Sequence, residues 1–359
     1  MINLEDLLQD MVDREASDLF LKAGSRPSMR IDGSVQPSEY EMMTVEDMDE
    51  IGQNIMTEDQ WRQFMKGLEM DLALGVRGVG RFRVNCYKQR GTIGMVFRHV
   101  LAGVQSFEDL NLPHAVQELA DKPRGMTLVT GTTGSGKSTT LASMIGHINN
   151  VRCCHIVTIE DPIEYLHQDN KAIISQREVG FDTHDFSDAL KRVLRQSPDV
   201  ILIGEMRDLE TIQTAIQAAE TGHLVFSTLH TLDAVQTVER IINYFPAYLH
   251  PQIRLELSLC MQGVISQRLM PRAGGNGRIP AIEIMICTPT IKKLLYEGRT
   301  LELNKFINEG RQYGMQTFNQ SLLALYNARK ISLECALEFA TSPDEFKLAA
   351  QGITSGRRF

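Results

Sequence analysis

The stretch Gly131-Thr132-Thr133-Gly134-Ser135-Gly136-Lys137-Ser138 fits the pattern G-x-x-x-x-G-K-[ST] at every fixed position. Few sequence features constrain a fold more. The glycines let the backbone curl until successive N–H groups converge on phosphate oxygens. Lys137 supplies a mobile cation for the β- and γ-phosphates, and the Ser138 hydroxyl can ligate Mg²⁺. The flanks agree. Residues 126–130 read as a short buried strand, and residues 139–149, opening with Thr139, read as a helix whose N-terminus faces the anion. A Gly/Ser/Thr linker would have no reason to sit between a strand and a helix.

The chain has 359 residues, too many for one ordinary core, so two or three domains are expected. Its formal net charge of −8 argues against a bulk nucleic-acid binder, which usually carries a basic excess. None of the six cysteines forms a C-x-x-C pair, which removes a zinc ribbon and a redox dithiol; buried thiols in a reducing cytosol are expected. There is no cationic-then-apolar leader and no apolar run near the ~20 residues of a membrane span. The expected location is therefore cytoplasmic, with any membrane association through a partner.

Residues 3–14 place Leu4, Leu7, Leu8, Met11 and Val12 on one helical face. Residues 17–22 and 28–31 read as strands, with Asp32-Gly33 as a turn after the second, and residues 44–66 as helical, with Trp61 in a small core. Residues 81–98 alternate. Phe82, Val84 and Cys86 face one way beside Ile93, Met95 and Phe97, which sends Arg81, Arg83 and Arg98 to the opposite face. Replacing Arg83 or Arg98 is then expected to cost little stability. From about residue 119, strands alternate with helices as in a parallel sheet. The strands are residues 156–159, 200–203, 224–229 and, last, 281–286 after a flexible loop at 274–277. Residues from 290 onward read as helical.

Two acidic segments stand at strand ends. Glu205 closes the apolar strand 200–203 and can hold Mg²⁺ or its waters beside phosphates. Glu160 directly follows strand 156–159 and is the candidate to orient or deprotonate an attacking water. Glu164 is the second candidate, and a solvated Glu-Asp-Pro turn is the alternative. His223 and His230 flank strand 224–229 at a spacing foreign to zinc motifs, so a satisfied structural histidine is the default for each. In a nucleotide site His230 can instead sense the γ-phosphate.

The phosphate loop, the segment Thr158-Ile159-Glu160-Asp161-Pro162-Ile163-Glu164-Tyr165, the strand ending Gly204-Glu205 and residues 219–231 follow one another in that order. Together they resemble the Walker A, Asp, Walker B and His boxes of the secretion-type traffic ATPases of type II secretion and type IV pili. The opening Ser17-Asp18-Leu19-Phe20, the run Gly80-Arg81-Phe82-Arg83 and the late Gly314-Met315-Gln316-Thr317-Phe318 make the chain most similar to the PilT/PilU retraction ATPases, over nearly its whole length. The resemblance implies an α/β fold: a small PAS-like α+β N-terminal domain (1–99), a linker (100–118), a RecA-like P-loop ATPase domain (119–289) and a C-terminal helical region (290–359). It further implies a ring-shaped homohexamer that binds ATP and Mg²⁺ between the two domains. N-terminal arginines would complete the site, with Arg83 and Arg98 the finger candidates and Arg81 behind them. ATP hydrolysis would then drive pilus retraction through an inner-membrane platform protein. Phe20 stands where PilT-type chains carry His, and Thr290-Ile291-Lys292-Lys293-Leu294-Leu295 departs from their Ala-Ile-Arg-Asn-Leu-Ile. Both lean toward a PilU-like or divergent PilT-like paralogue, with retraction shared with a paralogous ATPase as the alternative.

Two rival classes remain. A RecA-like nucleic-acid translocase is disfavoured by the acidic balance and by the lack of an aromatic-basic stripe. A non-hydrolysing ring subunit is disfavoured by the intact Lys137, Ser138, Glu160 and Glu205.

Overall fold

Strands buried at every position need cover on both faces, and residues 125–130, 200–203 and 224–229 form three such strands. A computed structural model describes residues 3–352 apart from Asp32 and Asn276. The expected turn at 32–33 and the expected loop at 274–277 therefore lie partly outside the described residues. The chain divides into two compact units. One runs to Gly103 and includes Glu164–Leu166; the other comprises Val104–Ile163 and the residues from His167 onward.

In the first unit, α1 (Leu4–Asp13) is followed by β1 (Asp18–Lys22), β2 (Ser28–Ile31), β3 (Ser34–Pro37), α2 (Val45–Ile55), α3 (Glu58–Gly67), β4 (Glu69–Val76), β5 (Gly80–Gln89) and β6 (Thr92–Ala102). The strands form an antiparallel sheet in the order β3-β2-β1-β6-β5-β4. Its alternation is the expected one: Phe82, Val84, Cys86, Ile93, Met95 and Phe97 are fully buried. Two features differ from the sequence reading. The stretch 44–66 is two helices, because Thr57 forms a capping box with Gln60 and starts a new helix. The hairpin also gains a third partner, β4, in register with β5.

The second unit contains α4 (His114–Ala120), β7 (Gly125–Thr130), α5 (Lys137–Val151) and β8 (His155–Glu160). The two-residue β9 (Tyr165–Leu166) belongs to the first unit and pairs with β6. Then come β10 (Ile173–Glu178), α6 (Phe186–Val193), β11 (Val200–Ile203), α7 (Leu209–Glu220), β12 (Leu224–Leu229), α8 (Ala234–Asn243), α9 (His250–Cys260), β13 (Met261–Pro271) and β14 (Arg278–Ile286). The sheet order is β10-β8-β11-β12-β7-β13-β14, parallel throughout except for β14.

Period-2 geometry sorts each strand between two cores. Ile201 and Ile203 join Val157, Ile159 and the faces of α6, α7 and α9. Val200 and Leu202 join Phe226 and the face of α5. The helices α10 (Pro289–Glu297), α11 (Leu303–Glu309), α12 (Phe318–Asn327), α13 (Leu333–Phe339) and α14 (Pro343–Ala350) complete the chain. Phe318, Leu322, Ala336 and Phe346 from the last three close a separate core on Met270, Ile279 and Ala281. Among the described residues no helix is long and apolar enough to cross a membrane. Cys86, Cys260 and Cys287 are buried as expected, whereas Cys153 is exposed, since it lies in the connection between α5 and β8.

Candidate functional site

The parallel strands β7, β8, β11 and β12 end at one edge of the sheet, where ligands of such sheets bind. The phosphate loop leaves β7 there and turns into α5. Gly131 has φ 142°, and a Cβ added to it would stand 2.5 Å from the Gln267 carbonyl oxygen and 2.5 Å from Ser135 Oγ. No other residue fits without moving backbone. Gly136 caps α5 at φ 90° with no side-chain hydrogen bond, so the N–H groups of the first turn remain available to an anion. Lys137 is nearly buried, and its Nζ donates to the carbonyls of Gly131 (2.9 Å) and Thr132 (3.0 Å). Ser135 Oγ is buried without a hydrogen-bond partner. A buried orphan hydroxyl calls for a physical reason, and a polyphosphate in the loop supplies one. Thr132, Thr133 and Gly134 are exposed; Ser138 and Thr139 are half-buried on the first turn of α5.

Two contacts brace the loop from β13. Thr130 Oγ1 donates to Ser266 Oγ (2.9 Å), and Gln267 Nε2 donates to Thr140 Oγ1 (2.8 Å). Sequence reading missed both, because polar residues interrupt the apolar pattern of β13.

Glu205 follows β11 and is nearly buried. His230 Nε2 lies 3.3 Å from its Oε2, and Arg207 forms an ion pair with its Oε1. Glu205, Arg207 and His230 share a cleft of about 920 Å³ with Thr133 of the phosphate loop, Arg240 of α8 and Tyr244 just after that helix. Arg207 escaped the sequence reading; the available signal was its place two residues beyond Glu205. Thr228 Oγ1 donates to the Gly204 carbonyl (2.6 Å) and holds the start of this turn. The structure thus brings Glu205, His230 and the phosphate loop together. His223, at the opposite end of β12, places Nδ1 2.9 Å from the Ala218 carbonyl, a structural contact.

Glu160 ends β8 beside the end of β11. Gly204 N–H donates to the Ile159 carbonyl (2.7 Å), and a Cβ on Gly204 would come within 3.3 Å of Glu160 Cα. The two acidic strand ends are therefore neighbours, and glycine at 204 permits the approach. Thr158 Oγ1 donates to Glu160 Oε1 at 2.7 Å, and Gln176 Nε2 to the same oxygen at 3.2 Å. Glu164 is exposed and belongs to the N-terminal unit.

The arginines of that unit differ from each other. Arg83 and Arg98 are direct partners across β5 and β6. Arg83 is exposed with no ion pair among the described residues. Arg98 Nε donates to Asp18 Oδ1 at 2.9 Å, and Arg30 Nε to Asp18 Oδ2 at 3.2 Å. Burial pushes the Asp18 carboxyl up, but hydrogen bonds from Ser17 and Arg98 and the charges of Arg98 and Arg30 more than offset it and hold it below its ordinary value. Arg83 is thus a solvated surface position, whereas β1 brings a nearly buried carboxylate beside Arg98.

Metal chemistry fits the donors at this sheet edge. Mg²⁺ is usually held by one or two protein oxygens, phosphates and water; the Ser138 hydroxyl and the Glu205 carboxylate offer such oxygens.

Comparison with known proteins agrees with this geometry. Residues 100–330 match the family model described as Type II/IV secretion system protein. The chain is 43% identical to the type IV pilus ATPase PilU of Pseudomonas aeruginosa, over 97% of its own length and 91% of the relative. It is 44% identical to the type IV pilus retraction ATPase PilT of the same organism, over 96% of its length and 100% of the relative. A crystal structure of the pilus retraction motor PilT with bound ADP superposes with a TM-score of 0.89 at 44% identity, covering 96% of this chain and 99% of that one. The chain therefore belongs to the type II/IV secretion system protein family, within its PilT/PilU group of pilus ATPases.

Proposed function

We propose that this protein is a ring-forming, Mg²⁺-dependent ATPase that powers type IV pilus retraction. The observation that carries the reading is the joint placement of an anion-ready phosphate loop, Glu205 with His230, and Glu160 at one sheet edge in a chain similar to PilT and PilU over nearly its full length. Gly131 to Thr139 hold the phosphates, with Lys137 moving from the loop carbonyls to the β/γ-phosphates. Ser138 and Glu205 hold Mg²⁺. Glu160 orients and deprotonates the attacking water, ahead of Glu164. His230 reports γ-phosphate occupancy to Glu205. Arg83 and Arg98 serve as arginine fingers in a homohexamer, which works from the cytoplasmic side on an inner-membrane platform protein.

Mg²⁺ and the phosphate loop supply charge neutralisation on the transferred group. The chain's own residues bind, align the water and accept its proton. Deletion of the gene in a piliated host tests the reading: hyperpiliation with loss of twitching supports retraction, and loss of pili overturns it. A second reading, a PilU-like motor that needs a paralogous ATPase, is favoured by Phe20 and by Thr290–Leu295 of the α10 region. Complementation of a host lacking every other retraction ATPase separates the two.

A further inference from the structure

β8 alternates, so Thr158 and Glu160 share one side of the strand. The Thr158 side chain is fully buried, and its hydroxyl donates to Glu160 Oε1 at 2.7 Å. Gln176, on the neighbouring β10, donates from Nε2 to the same oxygen at 3.2 Å. The orientation of that amide is fixed independently, because its Oε1 accepts the backbone N–H of His167 at 2.9 Å. An exchanged amide would lose that bond and set a carbonyl oxygen against a carboxylate, so the nitrogen faces Glu160. Behind the strand end, Val179 N–H donates to the Glu160 carbonyl (2.8 Å), which pins the backbone as well.

We infer that Thr158 and Gln176 are positioning residues that hold the Glu160 carboxylate by one oxygen in the orientation needed to align the attacking water. The inference rests on the proposed role of Glu160. Two donors from two strands converge on Oε1, so rotation of the carboxylate about its terminal bond breaks at least one of them. A water-orienting group must be held within a fraction of an ångström of its productive place. A strand residue two positions back and an edge-strand amide locked by a main-chain N–H provide such a hold. Neither residue needs to touch nucleotide for this purpose.

The test is steady-state ATP turnover of the full chain with Thr158→Val, which keeps the shape and removes the donor. The expected result is a fall in kcat of about tenfold, equivalent to about 1.4 kcal/mol, with KM for ATP and ADP affinity unchanged. Thr158→Ser, which keeps the hydroxyl, should restore most of kcat. Gln176→Glu is the second variant, at a half-buried site: it keeps the acceptor for His167 N–H, loses the donor to Glu160, and should lower kcat without raising KM. Wild-type kcat in both Thr158→Val and Gln176→Glu overturns the inference, as does a Thr158→Ser variant that stays as slow as Thr158→Val. If Glu160→Gln alone keeps wild-type turnover, the role assigned to Glu160 fails, and the inference falls with it. If Glu160→Gln is dead while Thr158→Val and Gln176→Glu are both normal, only the inference fails.

Discussion

Arg98 and Arg83 are neighbours in the same sheet, yet their replacement should have different consequences. Arg98→Ala removes one of three donors to Asp18, whose side chain is only 6% exposed. A hydrogen bond to a charged group contributes roughly 1.5–3 kcal/mol. Arg98 is itself 67% exposed, so solvent screens the pair toward the ~1 kcal/mol ceiling of exposed ion pairs, and Ser17 and Arg30 remain. A loss of about 1 kcal/mol is expected for Arg98→Ala, against about 0.5 kcal/mol or less for Arg83→Ala. Trp61, the single tryptophan, lies on α3 in the same unit, so urea unfolding followed by its fluorescence reads this unit directly. The pH dependence has a definite sign. The Asp18 carboxyl is held below its ordinary value in the fold, so its contribution is present above the unfolded value of about 3.9 and is lost as pH falls through the lower folded value. The Arg98→Ala penalty should be full at pH 7 and shrink at the acid end. Equal midpoints for the two variants at pH 7, or an Arg98→Ala penalty that does not shrink in acid, would refute the reasoning. If both arginines are fingers, both variants lose turnover, and only Arg98→Ala also loses stability.

Glu160→Gln should retain ADP binding and lose ATP hydrolysis, whereas Glu164→Gln should stay active; equilibrium nucleotide binding beside turnover checks both. Gly131→Ala should abolish nucleotide binding, since its Cβ would press on the Gln267 carbonyl; near-normal ADP affinity by calorimetry would contradict this. Burial raises the Glu283 carboxyl to about 7, with the Ala234 N–H partly opposing it. The folded state then binds more protons than the unfolded one between about pH 4.5 and 7, and stability falls as pH rises through that window. Glu283→Gln keeps the acceptor for Ala234 and should stabilise by about 1–3 kcal/mol at pH 8 with little effect at pH 4, as thermal melting would show. Light scattering with ATP and Mg²⁺ should report a mass near six protomers; a monomer under all conditions would remove the ring.

The parts of the site legible in the sequence are those with a local physical requirement. Gly131, Gly136 and Lys137 sit at fixed spacings because the loop permits little else, and Glu160, Glu205 and His230 each adjoin an apolar strand. What pairing at long range supplies was not legible. Gln176 lies on β10, an edge strand with mostly half-buried residues and no apolar run to announce it. Ser266, Gln267 and Arg268 are polar residues inside the 11-residue β13, and they hid it as a strand. Arg98 meets Asp18 only through the β1–β6 register, across 80 residues of sequence. Glu205 was found from its strand, but its partner Arg207 depends on the turn that β11 makes after Gly204.

The most direct test of the account is ATP turnover by the purified chain with and without Mg²⁺, beside Lys137→Ala. Lys137 is the cation of the phosphate loop, and its Nζ donates to two of that loop's own carbonyls. Its removal should therefore leave the melting temperature close to wild type. The account predicts Mg²⁺-dependent turnover in the wild type and none in a folded Lys137→Ala. Wild-type turnover in Lys137→Ala, or no Mg²⁺ dependence, would contradict it.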